Sequence, residues 1–149
     1  MRVLDPVSLV LRKKGCDIWS VPSDATVYSA MQMMAEKDIG ALLVIDQGQL
    51  VGVISERDYA RKVILLGRGS KDTLVNEIMV ASPTTIAPGC SVDEAMRLMT
   101  TNRIRHLPVV SDEKLLGMIS IGDLVNWIAF AQDHTIEQLE HYIEGKYPC

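Results

Sequence analysis

Cysteine and aromatic residues are scarce in this sequence, and long apolar runs are missing. The three cysteines, Cys16, Cys90 and Cys149, are widely spaced and include no C-x-x-C pair. This spacing favours reduced thiols over a disulfide framework or a zinc site. No apolar stretch approaches the ~18 residues needed to cross a bilayer, so we expect no association with a membrane.

An excess of positive charge is also missing. The 149 residues carry a formal net charge of −4 at pH 7, whereas nucleic-acid-binding domains usually carry a basic stripe. The first residues, MRVLDPVSLVLRKKG, lack the charged, apolar and small-residue order of a secretory signal. We therefore expect a cytoplasmic protein that does not bind nucleic acid.

An internal repeat is the main positive feature of the sequence. Residues 21–59 recur at residues 86–124 with a constant shift of 65 positions, and 12 of the 39 aligned pairs are identical. The identical pairs Val27/Val92 and Ala30/Ala95 fall at helical spacing, which is typical of a buried helix face. One copy alone would bury only about 60% of its unfolded surface, so we expect the two copies to pack together.

Hydrophobic periodicity predicts strand, helix, strand, strand and helix in each copy. Thr26 is a candidate N-cap of the first helix, and two apolar runs around Gln47-Gly48-Gln49 predict a hairpin. A leader helix that ends at Lys14 is expected outside the repeat, and an amphipathic helix is expected near the C-terminus. The predicted organisation is a leader at 1–17, a first repeat at 18–67, a linker with a short helical turn at 68–79, a second repeat at 80–132 and the C-terminal helix at 133–149.

Each copy contains the motif Gly-x-Ile-Ser-x-x-Asp where its hairpin meets the following helix. The two versions are GVISERD at 52–58 and GMISIGD at 117–123. One interpretation is structural, since the serine can cap the helix and the aspartate can complement the helix dipole. The other is functional, because a helix N-terminus can bind phosphate and a carboxylate can accept both hydrogen bonds of a ribose diol. The two interpretations are compatible.

In these features the chain resembles a pair of CBS (cystathionine-β-synthase-type) domains, which together form a Bateman module. The resemblance extends from Ile18 to Gln132 and is carried by the two motifs, the segments IGALLVI and IRHLPVV, and the helix starts TVYSAM and SVDEAM. It implies an α/β (α+β) fold of two βαββα repeats, packed as a pseudo-two-fold pair with two clefts between them. It also implies a non-catalytic regulatory module that binds AMP, ADP or ATP or, in some members, NAD or S-adenosylmethionine.

The resemblance further implies which residues bind the ligand, with each cleft completed across the two repeats. In both clefts the aspartate would hold the ribose. The first predicted set is Ser55, Arg57 and Asp58 with Thr84, Arg105, His106 and Leu107. The second predicted set is Met118, Ser120, Gly122 and Asp123 with Trp19, Gly40, Ala41 and Leu42.

A difference in charge between the two sets leads to a hypothesis. The Asp58 set contains Arg57, Arg105 and His106, which can hold a phosphate chain. The Asp123 set offers glycine and alanine at the matching positions and no side-chain cation. We therefore expect the Asp58 cleft to bind phosphorylated ligands more strongly, unless Arg105 and His106 only form a solvated strand end.

The sequence leaves two other functions open. An enzyme has little support, because the sequence has no P-loop, no zinc-ligand spacing and no convincing Ser/His/Asp set. A dimeric interaction or redox-partner protein is the stronger alternative, supported by the leader helix, the C-terminal helix and Cys149. A homodimer is expected because closed two-fold dimers are the commonest soluble oligomers, and a regulated target would be a separate protein.

Overall fold

The computed structural model describes residues 3–15 and 17–132. The chain forms two compact units, each of which contains one copy of the repeat. The repeat-1 unit consists of residues 19–83, and the repeat-2 unit consists of residues 84–132 together with residues 3–15 and 17–18. The predicted C-terminal helix, Cys16 and Cys149 lie outside the described residues.

The elements follow the predicted order closely. In chain order they are α1 (Val7–Lys14), β1 (Ser20–Val21), α2 (Val27–Lys37), β2 (Ala41–Asp46), β3 (Gln49–Ser55), α3 (Glu56–Tyr59) with a π-helical extension (Ala60–Ile64), α4 (Val75–Ile78), β4 (Val80–Ala81), α5 (Val92–Asn102), β5 (His106–Ser111), β6 (Lys114–Ser120) and α6 (Ile121–Gln132). The mixed α+β class is confirmed. How the two repeats pack on each other stays a prediction.

The two hairpins have the same register and the same irregularity. Ala41 lies opposite Ser55 in the β2–β3 pair, and His106 lies opposite Ser120 in the β5–β6 pair. Both pairs shift register at equivalent points, between Val44 and Ile45 and between Val109 and Val110. The constant shift in the sequence therefore corresponds to the same backbone geometry in both copies.

The sheets themselves differ between the units. In the repeat-1 unit the strand order is β1-β2-β3-β4, with β1 parallel to β2 and the other pairs antiparallel. In the repeat-2 unit β5 and β6 form a two-stranded sheet. The first strand predicted for the second copy is reduced to one parallel bridge between Ile86 and Val109. The predicted βαββα order is thus complete in the first copy and shortened in the second.

The first long helix of each copy begins and ends alike. The Ser29 N–H donates to Thr26 Oγ1 over 3.2 Å, and the Glu94 N–H donates to Ser91 Oγ over 3.1 Å. Both helices end at a residue with φ of 54°, Asp38 and Arg103. These side-chain caps satisfy N–H groups that a helix leaves without an internal partner. The buried face of α2 includes Val27, Ala30 and Met34.

The leader helix α1 and the linker helix α4 dock in equivalent ways. In the repeat-1 unit the Val75 N–H donates to the Ala25 carbonyl over 2.8 Å, as the Val7 N–H does to the Cys90 carbonyl in the repeat-2 unit, also over 2.8 Å. Ala25 and Cys90 are equivalent positions of the repeat, so Val7 is the counterpart of Val75, 68 positions away. The leader lies outside the repeated sequence, as expected, but it packs within the repeat-2 unit. The leader supplies to the second copy what the linker supplies to the first.

Each unit buries its own apolar core. In the repeat-1 unit the core contains Val27, Leu42 and Ile54 with Val75 and Ile78 from α4. In the repeat-2 unit it contains Val7, Leu9 and Val10 from α1, packed with residues that include Leu107, Ile119 and Trp127. Among the described residues, no helix combines the length and the apolar character needed to cross a membrane.

Candidate functional site

In the repeat-1 unit the motif forms a closed capping arrangement at the start of α3. The Ser55 N–H donates to Asp58 Oδ2 over 2.9 Å, and the Asp58 N–H donates to Ser55 Oγ over 3.3 Å. The serine hydroxyl in turn donates to the same carboxylate oxygen over 3.0 Å. This arrangement fixes the orientation of the Asp58 carboxylate. The structural interpretation of the motif is therefore confirmed in this copy.

The repeat-2 unit repeats this geometry at the start of α6. The Ser120 N–H donates to Asp123 Oδ2 over 2.8 Å, and the Asp123 N–H donates to Ser120 Oγ over 3.1 Å. The Asp58 and Asp123 side chains are 13% and 22% exposed. Each carboxylate is therefore held rigidly but remains in reach of solvent, a geometry in which a ligand could add hydrogen bonds.

A lysine contacts each of the two aspartates. Lys62 Nζ lies 3.3 Å from Asp58 Oδ1 and donates to the Ile78 carbonyl over 2.8 Å. Lys14 Nζ lies 2.8 Å from Asp123 Oδ2 and donates to the Met118 carbonyl over 2.7 Å. The expectation that Asp123 has no side-chain cation beside it was wrong, because the leader helix brings Lys14 to it.

The residues before each hairpin lie beside the motif of their own copy. The Glu56 N–H donates to the Gly40 carbonyl over 3.1 Å, and the Ile121 N–H donates to the Arg105 carbonyl over 2.9 Å. Leu42 and Leu107, which follow in the strands, are fully buried. The structure thus brings Gly40, Ala41 and Leu42 to the Ser55 motif and Arg105, His106 and Leu107 to the Ser120 motif. The predicted pairing of these residues across the copies stays a prediction.

The remaining predicted site residues have varied surroundings. Trp19 is partly exposed, and Lys37 Nζ lies 4.2 Å from the centroid of its ring. Thr84 is exposed. Gly122 lies in the first turn of α6, where a Cβ atom would lie 3.6 Å from Ser120 Oγ. Arg57 and His106 both take part in interactions with other groups.

The glycine that begins the first motif has a packing role. A Cβ atom on Gly52 would lie 2.7 Å from Met79 Sδ and 2.9 Å from the Val80 carbonyl oxygen. Both distances are shorter than real Cβ contacts, so only glycine lets β4 and the end of α4 approach β3 this closely. In the first copy the spacing of glycine and serine within the motif therefore combines a packing requirement with a helix cap.

Sequence reasoning missed both lysines as members of the site. Lys62 follows Asp58 by four residues on one helix, the spacing at which an acid and a base meet, so a local signal was present. Lys14 lies 109 positions from Asp123, and nothing in the local sequence indicates that contact. Only the docking of α1 on the repeat-2 unit produces it.

Metal and thiol chemistry find little support in the part of the chain that the structure describes. No group of three or more histidine, cysteine, aspartate or glutamate side chains lies close enough to hold a metal ion. Burial, with a smaller effect from the Glu94 carboxylate, raises the pKa of the Cys90 thiol. The protonated thiol that results is a poor nucleophile.

Comparison with known proteins identifies the fold. The model of the CBS domain family matches residues 11–64 and 75–130. A mitochondrial CBS domain-containing protein of Arabidopsis thaliana, CBSX3, is 41% identical over 151 residues, which cover 95% of this chain and 73% of that protein.

Two solved structures have the same fold. A CBS-domain protein from Burkholderia ambifaria MC40-6 is 48% identical, with a TM-score of 0.83 over 89% of this chain and 99% of that one. The CBS domain pair of protein MJ0100, in complex with 5′-methylthioadenosine and S-adenosyl-L-methionine, is 23% identical, with a TM-score of 0.73 over 85% and 97% of the two chains. With two matched repeats and these relatives, the chain belongs to the CBS domain family, as a tandem CBS pair.

Proposed function

We propose that this CBS pair is a non-catalytic regulatory module that binds an adenosine-containing ligand through its two Ser-x-x-Asp motifs. The ligand class comprises AMP, ADP, ATP and related compounds such as NAD or S-adenosylmethionine. One observation carries the proposal: both copies hold a partly exposed aspartate at a helix N-terminus, between a serine and a lysine.

The chemistry of the two aspartates suits a ribose. An ionised carboxylate has about four acceptor positions, and the capping bonds use Oδ2 of both Asp58 and Asp123. The 2′- and 3′-hydroxyl groups of a ribose could donate to the remaining positions. The rigid capping geometry supports this role, because a preorganised acceptor pays little entropy on binding.

The ligand class is also supported by a relative. The CBS pair of MJ0100 was solved with two adenosine compounds, and both contain the ribose that the aspartates are proposed to hold.

A homodimer and a separate regulated target stay predictions from the sequence, and sedimentation of the full chain tests the first of them. A regulatory rather than catalytic role predicts that bound nucleotide is recovered unchanged after long incubation.

A thermal-shift panel of AMP, ADP, ATP, NAD and S-adenosylmethionine tests the proposal. A ligand at ~100 times its Kd stabilises the folded state by about 2.7 kcal/mol. For a chain of this size we expect the melting temperature to rise by about 5–11 °C. If none of the five compounds raises it, the proposal fails.

Substitutions then assign the binding to the motifs. Asp58→Asn and Asp123→Asn should each remove part of the ligand-induced shift, and the double variant should remove all of it, with each shift measured against the variant's own ligand-free state. Ser91→Ala is the matched control, because it removes a helix cap outside the motifs. It should lower the ligand-free melting temperature and keep the ligand-induced shift. A double aspartate variant that keeps the full shift would place the ligand elsewhere.

A further inference from the structure

The leader helix contributes a side chain to the repeat-2 motif. We infer that Lys14 is a ligand-binding residue beside Asp123 and that it selects ligands with a 5′-phosphate over the neutral nucleoside. The inference rests on the proposed function and deepens it, because it assigns a specificity to one of the two motifs.

The position of the Lys14 ammonium group supports this role. An ammonium group has three N–H donors. Among the described residues, Lys14 Nζ donates to the Met118 carbonyl and to Asp123 Oδ2, over 2.7 and 2.8 Å. The side chain is 37% exposed, so a third donor can face a ligand that Asp123 holds by its ribose.

The helix cap does not require Lys14. Ser120 and Asp123 close the cap through their own two hydrogen bonds, of 2.8 and 3.1 Å. A partly exposed ion pair also contributes little stability. A variant that lacks the Lys14 charge should therefore fold. Helix capping does not explain the contact between Lys14 and Asp123.

The charges around Asp123 favour an anionic ligand. An unpaired carboxylate would repel the phosphate of a nucleotide, which carries nearly two negative charges at pH 7. Lys14 offsets the charge of Asp123. The neighbouring Lys13 has another contact in the same unit, since its Nζ lies 3.9 Å from the centroid of the Phe130 ring.

The other copy reaches a similar arrangement from a different element. Lys62 contacts Asp58 from within the same helical segment, and the position that corresponds to Lys62 in the second copy is Trp127, a buried residue. The second copy therefore has no lysine at this position, and Lys14 from the leader helix contacts Asp123 instead.

The test compares AMP with adenosine, which lacks the phosphate. Binding is measured by titration calorimetry on the full chain in an Asp58→Asn background, which leaves the repeat-2 motif as the binding site. Lys14→Gln removes the charge and keeps the length of the side chain. Lys13→Gln is the matched control, since it makes the same charge change one residue earlier, and Lys14→Arg tests whether another cation can substitute.

We expect Lys14→Gln to weaken AMP binding about tenfold, the size of effect for one hydrogen bond to a charged group, and to change adenosine binding less than about twofold. Lys13→Gln should leave the ratio of AMP to adenosine affinity unchanged, and Lys14→Arg should largely retain it. The ratio is insensitive to a small unfolded fraction, because both ligands report on the same folded protein.

Three results would overturn the inference. They are an equal loss for both ligands, an equal effect of the two glutamine variants on AMP, and tighter AMP binding in Lys14→Gln, which would mean that Lys14 competes with the ligand for Asp123. If the Asp58→Asn protein binds neither compound, the proposed function itself fails for this motif. The failure of the inference and the failure of the function are thus distinguishable.

Discussion

At the scale of single residues, Asp5 connects the leader to the last described helix of its unit. The Trp127 Nε1–H donates to Asp5 Oδ2 over 3.0 Å, and both residues are buried. The Asp5 carbonyl also accepts from the Val92 N–H over 2.9 Å. One residue therefore links the leader to α6 by its side chain and to the start of α5 by its backbone.

Removing the Asp5 carboxylate should destabilise the repeat-2 unit. Asp5→Ala leaves the indole N–H of Trp127 buried without an acceptor, which costs about 1–3 kcal/mol of unfolding free energy. Asp5→Asn keeps an acceptor oxygen and should cost less. Urea unfolding measures both, and Asp5→Ala made in a Trp127→Phe background is the control. If Asp5→Ala costs as much there as in the natural sequence, the hydrogen bond is not the cause.

At the scale of elements, the contact between β3 and the α4–β4 segment depends on the absence of a side chain at Gly52. The register places Gly52 opposite Ala81 and Val53 opposite Val80. Met79 and the Val80 carbonyl then occupy the space that a Cβ atom would need. The start of the motif is therefore tied to the linker that docks on it.

Gly52→Ala should destabilise the protein by about 1–3 kcal/mol, the usual cost of overpacking. Gly122→Ala is the matched control, since its Cβ atom would lie 3.6 Å from the nearest atom, Ser120 Oγ, and alanine favours a helix. It should stabilise α6 by about 0.5–1 kcal/mol. Chemical unfolding of the two variants compares them directly. A Gly52→Ala protein as stable as the natural sequence would contradict the close approach described for β4.

At the scale of the whole molecule, a segment's place in the sequence does not predict the unit in which it packs. The leader precedes the first copy in sequence but contributes Val7, Leu9 and Val10 to the core of the repeat-2 unit. The linker follows the first copy and contributes Val75 and Ile78 to the core of the repeat-1 unit. Each copy is thus completed by a short apolar segment, one taken from before the repeats and one from between them.

Val7→Ala and Val75→Ala form a matched pair that tests this arrangement. Both valines are fully buried, and each substitution should cost about 2 kcal/mol through lost burial and a cavity. In native-state hydrogen exchange, Val7→Ala should raise exchange mainly in residues 84–132, and Val75→Ala mainly in residues 19–64. If exchange instead becomes faster mainly in residues 19–64 of the Val7→Ala protein, the leader does not belong to the repeat-2 unit.

Much of this architecture follows from local sequence. The repeat is visible by comparing the sequence with itself. The caps at Thr26 and Ser91 and the hairpin around Gly48 are short-range signals, and each acts within a few residues. The two Ser-x-x-Asp motifs were also visible, because a helix cap is defined by residues three positions apart. For the same reason the Lys62 contact with Asp58 could have been predicted from helical spacing.

Only the tertiary structure decided which distant segments complete each copy. The segments 5–11 and 73–79 share one identical residue, the valine at positions 7 and 75. Their common role depends on equivalent backbone hydrogen bonds and on burial of this valine. The contact between Lys14 and Asp123 depends on that docking in turn, because the helix carries the lysine to a carboxylate 109 positions away. The sequence by itself determined two similar units with two similar motifs. The packing of the leader decided that a lysine reaches the aspartate of the second motif. Such a contact follows from the burial of apolar faces elsewhere on the helix, and the local sequence around Lys14 and Asp123 therefore gives no sign of it.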